Sequence, residues 1–95
     1  MKLIEKVKKN LRISTSALDV AEISPLIAAA KKDLRLSGIT RMSERDPLIQ
    51  RAVVTYCKAH FGYDNPDSDK FKASYESIKN TLTQIDKYKG GAKSG

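Results

Sequence analysis

Residues 46–65 read "DPLIQRAVVTYCKAHFGYDN". The stretch opens on a carboxylate followed by proline, and a glycine stands near its end. An aspartate at the N-cap accepts from the first free amides of a helix. Proline at the first helical position loses nothing, because its missing N–H would have no partner there. Gly62 supplies the stop. The spacing therefore predicts a helix over 47–61. Ile49, Ala52, Val53, Tyr56, Cys57 and His60 fall on one stripe, and Gln50, Arg51, Thr55 and Lys58 on the other face. A helix with one apolar stripe must bury it, so the neighbouring segments have to supply the cover.

Three further segments carry helical spacing. Over 3–11, Ile4, Val7 and Leu11 share a face, but a helix this short has to dock on something. After the loop "STSALD", Asp19 and Glu22 read as a capping box for a helix over 19–37. Pro25 lies inside it, deletes one backbone bond and predicts a bend, unless Ser24 and Pro25 are themselves a cap and first helical residue. Ile23, Leu26, Ile27, Ala30 and Leu34 form its inner face, Ala28 and Ala29 allow close approach, and Gly38 is the expected left-handed residue after its end. A fourth helix over 67–87 repeats Phe71, Tyr75, Ile78, Leu82 and Ile85 at spacings of four and three, an a/d seam two heptads long. That seam can pack on helix 47–61 or on another chain. No period-2 pattern indicates a strand. The expectation is an all-α compact domain of about four helices, with residues 1–88 as one domain and 89–95, "KGGAKSG", as a flexible tail. Val53, Tyr56, Cys57, His60, Phe61, Phe71, Tyr75, Ile78 and Leu82 are the expected core signature.

Composition bounds the function classes. Ninety-five residues, 40% hydrophobic and 31% charged, suit an ordinary globular chain. No apolar run approaches the length a bilayer needs, and "MKLIEKVKKN" has no hydrophobic signal region. One cysteine excludes an internal disulfide and fits a reducing place of synthesis. The net charge is +7, with Lys8, Lys9 and Arg12 near one end and Lys87, Lys89 and Lys93 near the other. These six are the candidate residues for facing DNA or an acidic partner. No run of five or six like charges makes a basic arm.

Catalytic and metal readings are weak. Cys57 and His60 are spaced like a metal half-site or a nucleophile with its base. A structural zinc site wants four ligands, and no other Cys or His exists to complete it. A Cys–His nucleophile needs an orienting group, an oxyanion hole and a pocket. The pair reads instead as two packing residues on one helix. Asp64, Asp67 and Asp69 lack the glycine and glutamate positions of a calcium loop and read as turn and cap residues. No phosphate-binding glycine motif is present. A small basic helical DNA-binding regulator is the alternative function, although the joint before helix 47–61 is too long for a helix-turn-helix.

The ordered blocks carry a resemblance. "LIEKVKKNLRIS" at 3–14, "ALDVAEISPLIAAAKKDLRLSGI" at 17–39, "DPLIQRAVVTYCKAHFGYDN" at 46–65 and "FKASYESIKNTL" at 71–82 together look like the small head–tail connector, or adaptor, proteins of tailed bacteriophages and prophages, also labelled DNA packaging proteins. Pro25 departs from the ordinary helix former expected at its position. The resemblance implies a non-enzymatic protein of the virion neck, made in the bacterial cytoplasm, with no catalytic residue, metal or cofactor. It implies self-association into a ring of about twelve copies that closes through a head-to-tail interface. Its other implied partners are the portal, under which the ring docks, further neck and tail-completion proteins, and the packaged DNA through non-specific contacts; no membrane is implied.

Overall fold

The computed structural model describes residues 2–62 and 65–89. Its elements are α1 (Leu3–Leu11), a π-helical turn (Asp19–Ile23), α2 (Ser24–Leu36), α3 (Pro47–His60), α4 (Ser68–Thr83) and a closing 3-10 turn (Asp86–Tyr88). No strand occurs among the described residues.

Helix α3 is the axis of the domain. Asp46 caps it as expected, its Oδ1 accepting from the N–H groups of Leu48 at 2.8 Å and Ile49 at 3.4 Å. Ile49, Ala52, Val53 and Cys57 are fully buried. Helix α4 packs along α3, and α1 and α2 pack across it. They contribute Leu3 and Val7 from α1, Ile23, Ile27, Ala30 and Leu34 from the π-turn and α2, and Tyr75 and Leu82 from α4. Of the four-and-three seam, Tyr75 and Leu82 are buried and Ile78 packs partly against the core, whereas Phe71 is half-buried outside the core under the Lys58 ammonium and Ile85 follows the end of α4.

The ends of the helices are set by local chemistry. Helix α2 finishes in a Schellman motif. The Ile39 N–H donates to the Leu34 carbonyl at 3.0 Å and the Gly38 N–H to the Arg35 carbonyl at 3.0 Å. Gly38 sits at φ +99, where a Cβ would be strained. Leu34 and Ile39 are both fully buried, which adds the apolar contact that usually accompanies this motif. At the end of α3, side chains from the following loop fill the last carbonyls. The Asn65 amide donates to the Lys58 carbonyl at 2.7 Å, and the Ser68 hydroxyl donates to that of Ala59 at 2.8 Å.

Several expectations are corrected. The helix expected over 19–37 is divided into the π-turn and α2. Pro25 has no N–H to donate, and its ring crowds the carbonyl four residues back, so the widened turn before it relieves an α-helical clash. The Ser24 N–H reaches back five residues to the Asp19 carbonyl. Asp19 is not a cap; its carboxylate pairs with Lys8 Nζ at 2.9 Å. Helix α4 ends at Thr83 rather than 87. Thr81 and Thr83 turn their hydroxyls onto the carbonyls of Ser77 and Asn80, a competition that weakens a helix end. The chain then extends at Ile85 and turns again, burying Tyr88. His60 is exposed, not core, because the last turn of α3 carries it past the buried stripe. The tail expected over 90–95 lies outside the described residues.

Asp46 also accepts from the Tyr88 hydroxyl at 2.8 Å, so its loss uncaps α3 and leaves a buried phenol unpaired. Asp46→Ala should lower the unfolding free energy by about 2–3 kcal/mol, the sum of a cap and an orphaned hydroxyl. Urea titration followed by circular dichroism measures this; a loss below the value for a cap alone would show that Tyr88 finds another partner.

Candidate functional site

Cys57 and His60 do not converge. The thiol is fully buried and unpaired, and burial pushes its pKa up to about 12, so it is protonated at neutral pH. The imidazole lies on the surface against the Tyr56 ring, centroids 4.3 Å apart. Among the described residues, no group of three or more Cys, His, Asp or Glu side chains could hold a metal ion. Asp64 lies outside the described residues.

The strongest polar cluster is one that sequence reading missed. Asp33 of α2 accepts from the Tyr75 hydroxyl at 2.6 Å and from Lys79 Nζ at 3.0 Å, both on α4. Lys79 also pairs with Glu76 at 3.1 Å. Tyr75 meets Tyr56 edge-on at 5.2 Å, which ties the cluster to α3. Tyr75 and Lys79 are four apart and so share a helix face, a signal present in the sequence; the position of Asp33 opposite them follows only from how α2 crosses. Partial burial pushes the Asp33 carboxyl up, but the two donated hydrogen bonds and the Lys79 charge outweigh it and hold the pKa below the ordinary value. Burial and the bond to Asp33 drive the Tyr75 phenol well above its ordinary value.

The six basic candidates separate by environment. Lys8 is engaged with Asp19 and only 16% exposed. Lys9 and Arg12 are exposed at the end of α1. Lys87 lies 3.4 Å from Asp46 and over the Tyr88 ring. Lys89 follows the 3-10 turn and is half-buried, and Lys93 lies outside the described residues. Among the five described candidates, Lys8 and Lys87 thus face carboxylates, and Lys9 and Arg12 are exposed. Arg12 stands apart in backbone: among the described residues it is the non-glycine residue in the left-handed region, at φ +61, closing α1 with its N–H on the Lys9 carbonyl.

Two large apolar side chains face outward, Val20 on the π-turn at 85% exposure and Leu36 at the end of α2 at 77%. A concavity between the π-turn and the end of α3 is lined by Leu18, Glu22, His60, Phe61 and Gly62. No helix among the described residues is long and apolar enough to cross a membrane.

These features define a class: a small all-α domain whose buried groups are spent on packing and whose surface holds the features available to partners. A family model described as phage connector protein matches residues 3–89, all four helices included, and the chain belongs to that family. The family is structural rather than enzymatic, and membership implies contact with other phage head and tail proteins at the virion neck. Comparison with curated proteins and with solved structures gives no significant match.

Two outcomes follow from this chemistry. Arg12→Gly should raise stability by about 1 kcal/mol by removing the Cβ from a left-handed position; thermal melts read it, and an unchanged or lowered melting temperature would mean the arginine side chain holds the helix end. Asp33 and Asp46 are both held below the ordinary carboxylate value in the folded chain. For Asp46 burial again acts upward, against the hydrogen bonds from Tyr88, Leu48, Ile49 and Lys87. A depressed carboxyl contributes stability that is complete above its unfolded pKa and is lost as pH falls through the folded one. The urea midpoint should therefore hold above about pH 5 and decline below about pH 4, and Asp33→Asn should flatten part of that decline.

Proposed function

We propose that this chain is a head–tail adaptor. Copies form a closed ring that docks beneath the portal, extends the DNA exit channel and presents a platform to later neck and tail components. The protein acts by geometry and turns over no substrate. The observation that carries this reading is the family match across residues 3–89, which takes in every helix rather than one motif. The fold supports it in a second way. The surface available to partners includes the outward apolar side chains and the exposed Lys9 and Arg12. Cationic groups of this kind would contact phosphates without reading base sequence.

Negative-stain imaging of the purified chain, alone and mixed with the portal of the same phage, tests this. Rings, or ring-shaped additions to the portal, are the expected result. A monodisperse dimer that ignores the portal and shifts one duplex sequence in preference to others would replace the adaptor with the DNA-binding regulator. Any contact with DNA in the adaptor should weaken steeply with salt and be the same for unrelated sequences.

A further inference from the structure

The two outward apolar side chains among the described residues lie at opposite ends of the segment formed by the π-turn and α2. Val20 lies on the π-turn, and Leu36 is the last residue of α2. Between them the exposed residues of α2 include Ala28, Ala29 and Lys32, small or flexible enough to let another surface approach. Sixteen residues of helical rise separate the ends by roughly 24 Å, so they cannot meet within one chain.

Each end holds what the other lacks. At the π-turn end the concavity has apolar walls, Leu18 and Phe61, a carboxylate, Glu22, and the His60 imidazole next to Gly62. At the other end Leu36 projects as a knob with Arg35 and Lys32 beside it. Neither Glu22 nor Arg35 has a hydrogen bond or ion pair from its side chain among the described residues. The knob is apolar and cationic, and the concavity is apolar and anionic.

We infer that Leu36 of one copy seats in the Leu18–Phe61 concavity of the next, with Arg35 of the first copy against Glu22 of the second. The occupant is a second copy because the complementary halves lie on one chain at opposite ends of one element. Such a contact joins unlike surfaces, so an open oligomer keeps one free knob at one end and one free concavity at the other until a ring closes. The charge pair fixes the register. It also offsets locally the repulsion between two chains that each carry a net +7. This interface rests on the adaptor reading, which requires self-association but does not say through which surface.

The experiment compares the parent chain with Glu22→Arg, Arg35→Glu, the double exchange and Leu36→Ser. Sedimentation velocity at matched concentration reads the assembled fraction, alone and with the portal, and thermal melts verify that each variant folds. The expected result is a loss of at least tenfold in assembled fraction for each single variant, with recovery to within threefold of the parent in the double exchange. Folded single variants that assemble as the parent does would overturn this interface and leave the adaptor reading standing. So would a folded double exchange that fails to recover. A parent chain that assembles neither alone nor on the portal would overturn the adaptor reading, and this interface with it.

Discussion

One carboxylate holds together parts of the chain that are far apart in sequence. Asp46 caps α3 through two backbone amides, accepts the hydroxyl of Tyr88 and faces the Lys87 ammonium. Its side chain is only 12% exposed, so water competes weakly for these bonds. Tyr88 answers from the other side: its carbonyl accepts the amides of Thr40 at 2.8 Å and Arg41 at 3.1 Å. The irregular connector between α2 and α3 is thereby tied to the final turn of the fold. Ordering such a connector costs conformational entropy at every residue, and a buried, many-donor acceptor is an economical way to offset it. The same residue determines where the central helix begins, so the register of the buried stripe depends on it.

The signals that were legible in the sequence are those whose chemistry is local. Asp46–Pro47 and Gly38 each act within one turn of chain, and both mark helix ends in the structure as expected. The apolar face of α1 and the seam of α4 likewise follow from spacing. What was not legible depends on competition between neighbours. Helix α4 stops early because two threonines bind backbone carbonyls and because Tyr88 is drawn back toward Asp46. Asp19 looks like a cap beside Glu22, but a lysine on another helix takes its carboxylate. His60 keeps the spacing of the stripe yet lies at the rim, since spacing says which side a residue is on and not whether anything covers it.

The surface was harder to read than the core for the same reason. Charge counts indicated basic candidates at both ends of the chain, but they do not say which lysines are already paired. Lys8 and Lys87 have acidic neighbours, whereas Lys9 and Arg12 have no ion pair among the described residues. The cluster of Asp33, Tyr75 and Lys79 left half a signal, two residues four apart on α4. Its other half is a matter of how two helices cross. Family membership, by contrast, was legible because it rests on the order of four blocks rather than on any one contact.

The π-turn before α2 has a meaning for length variation. A π-turn holds one residue more than an α-turn over the same backbone pairing. The wide turn therefore takes up its extra residue within the angular advance of an ordinary turn, and the chain on either side keeps nearly the direction of a continuous helix. A chain one residue shorter between Asp19 and Ile23 would keep that direction but would press the Pro25 ring against the carbonyl four residues back. The five-residue turn is in effect a slack link: it lets a proline stand one turn into a helical segment without redirecting the chain that precedes it.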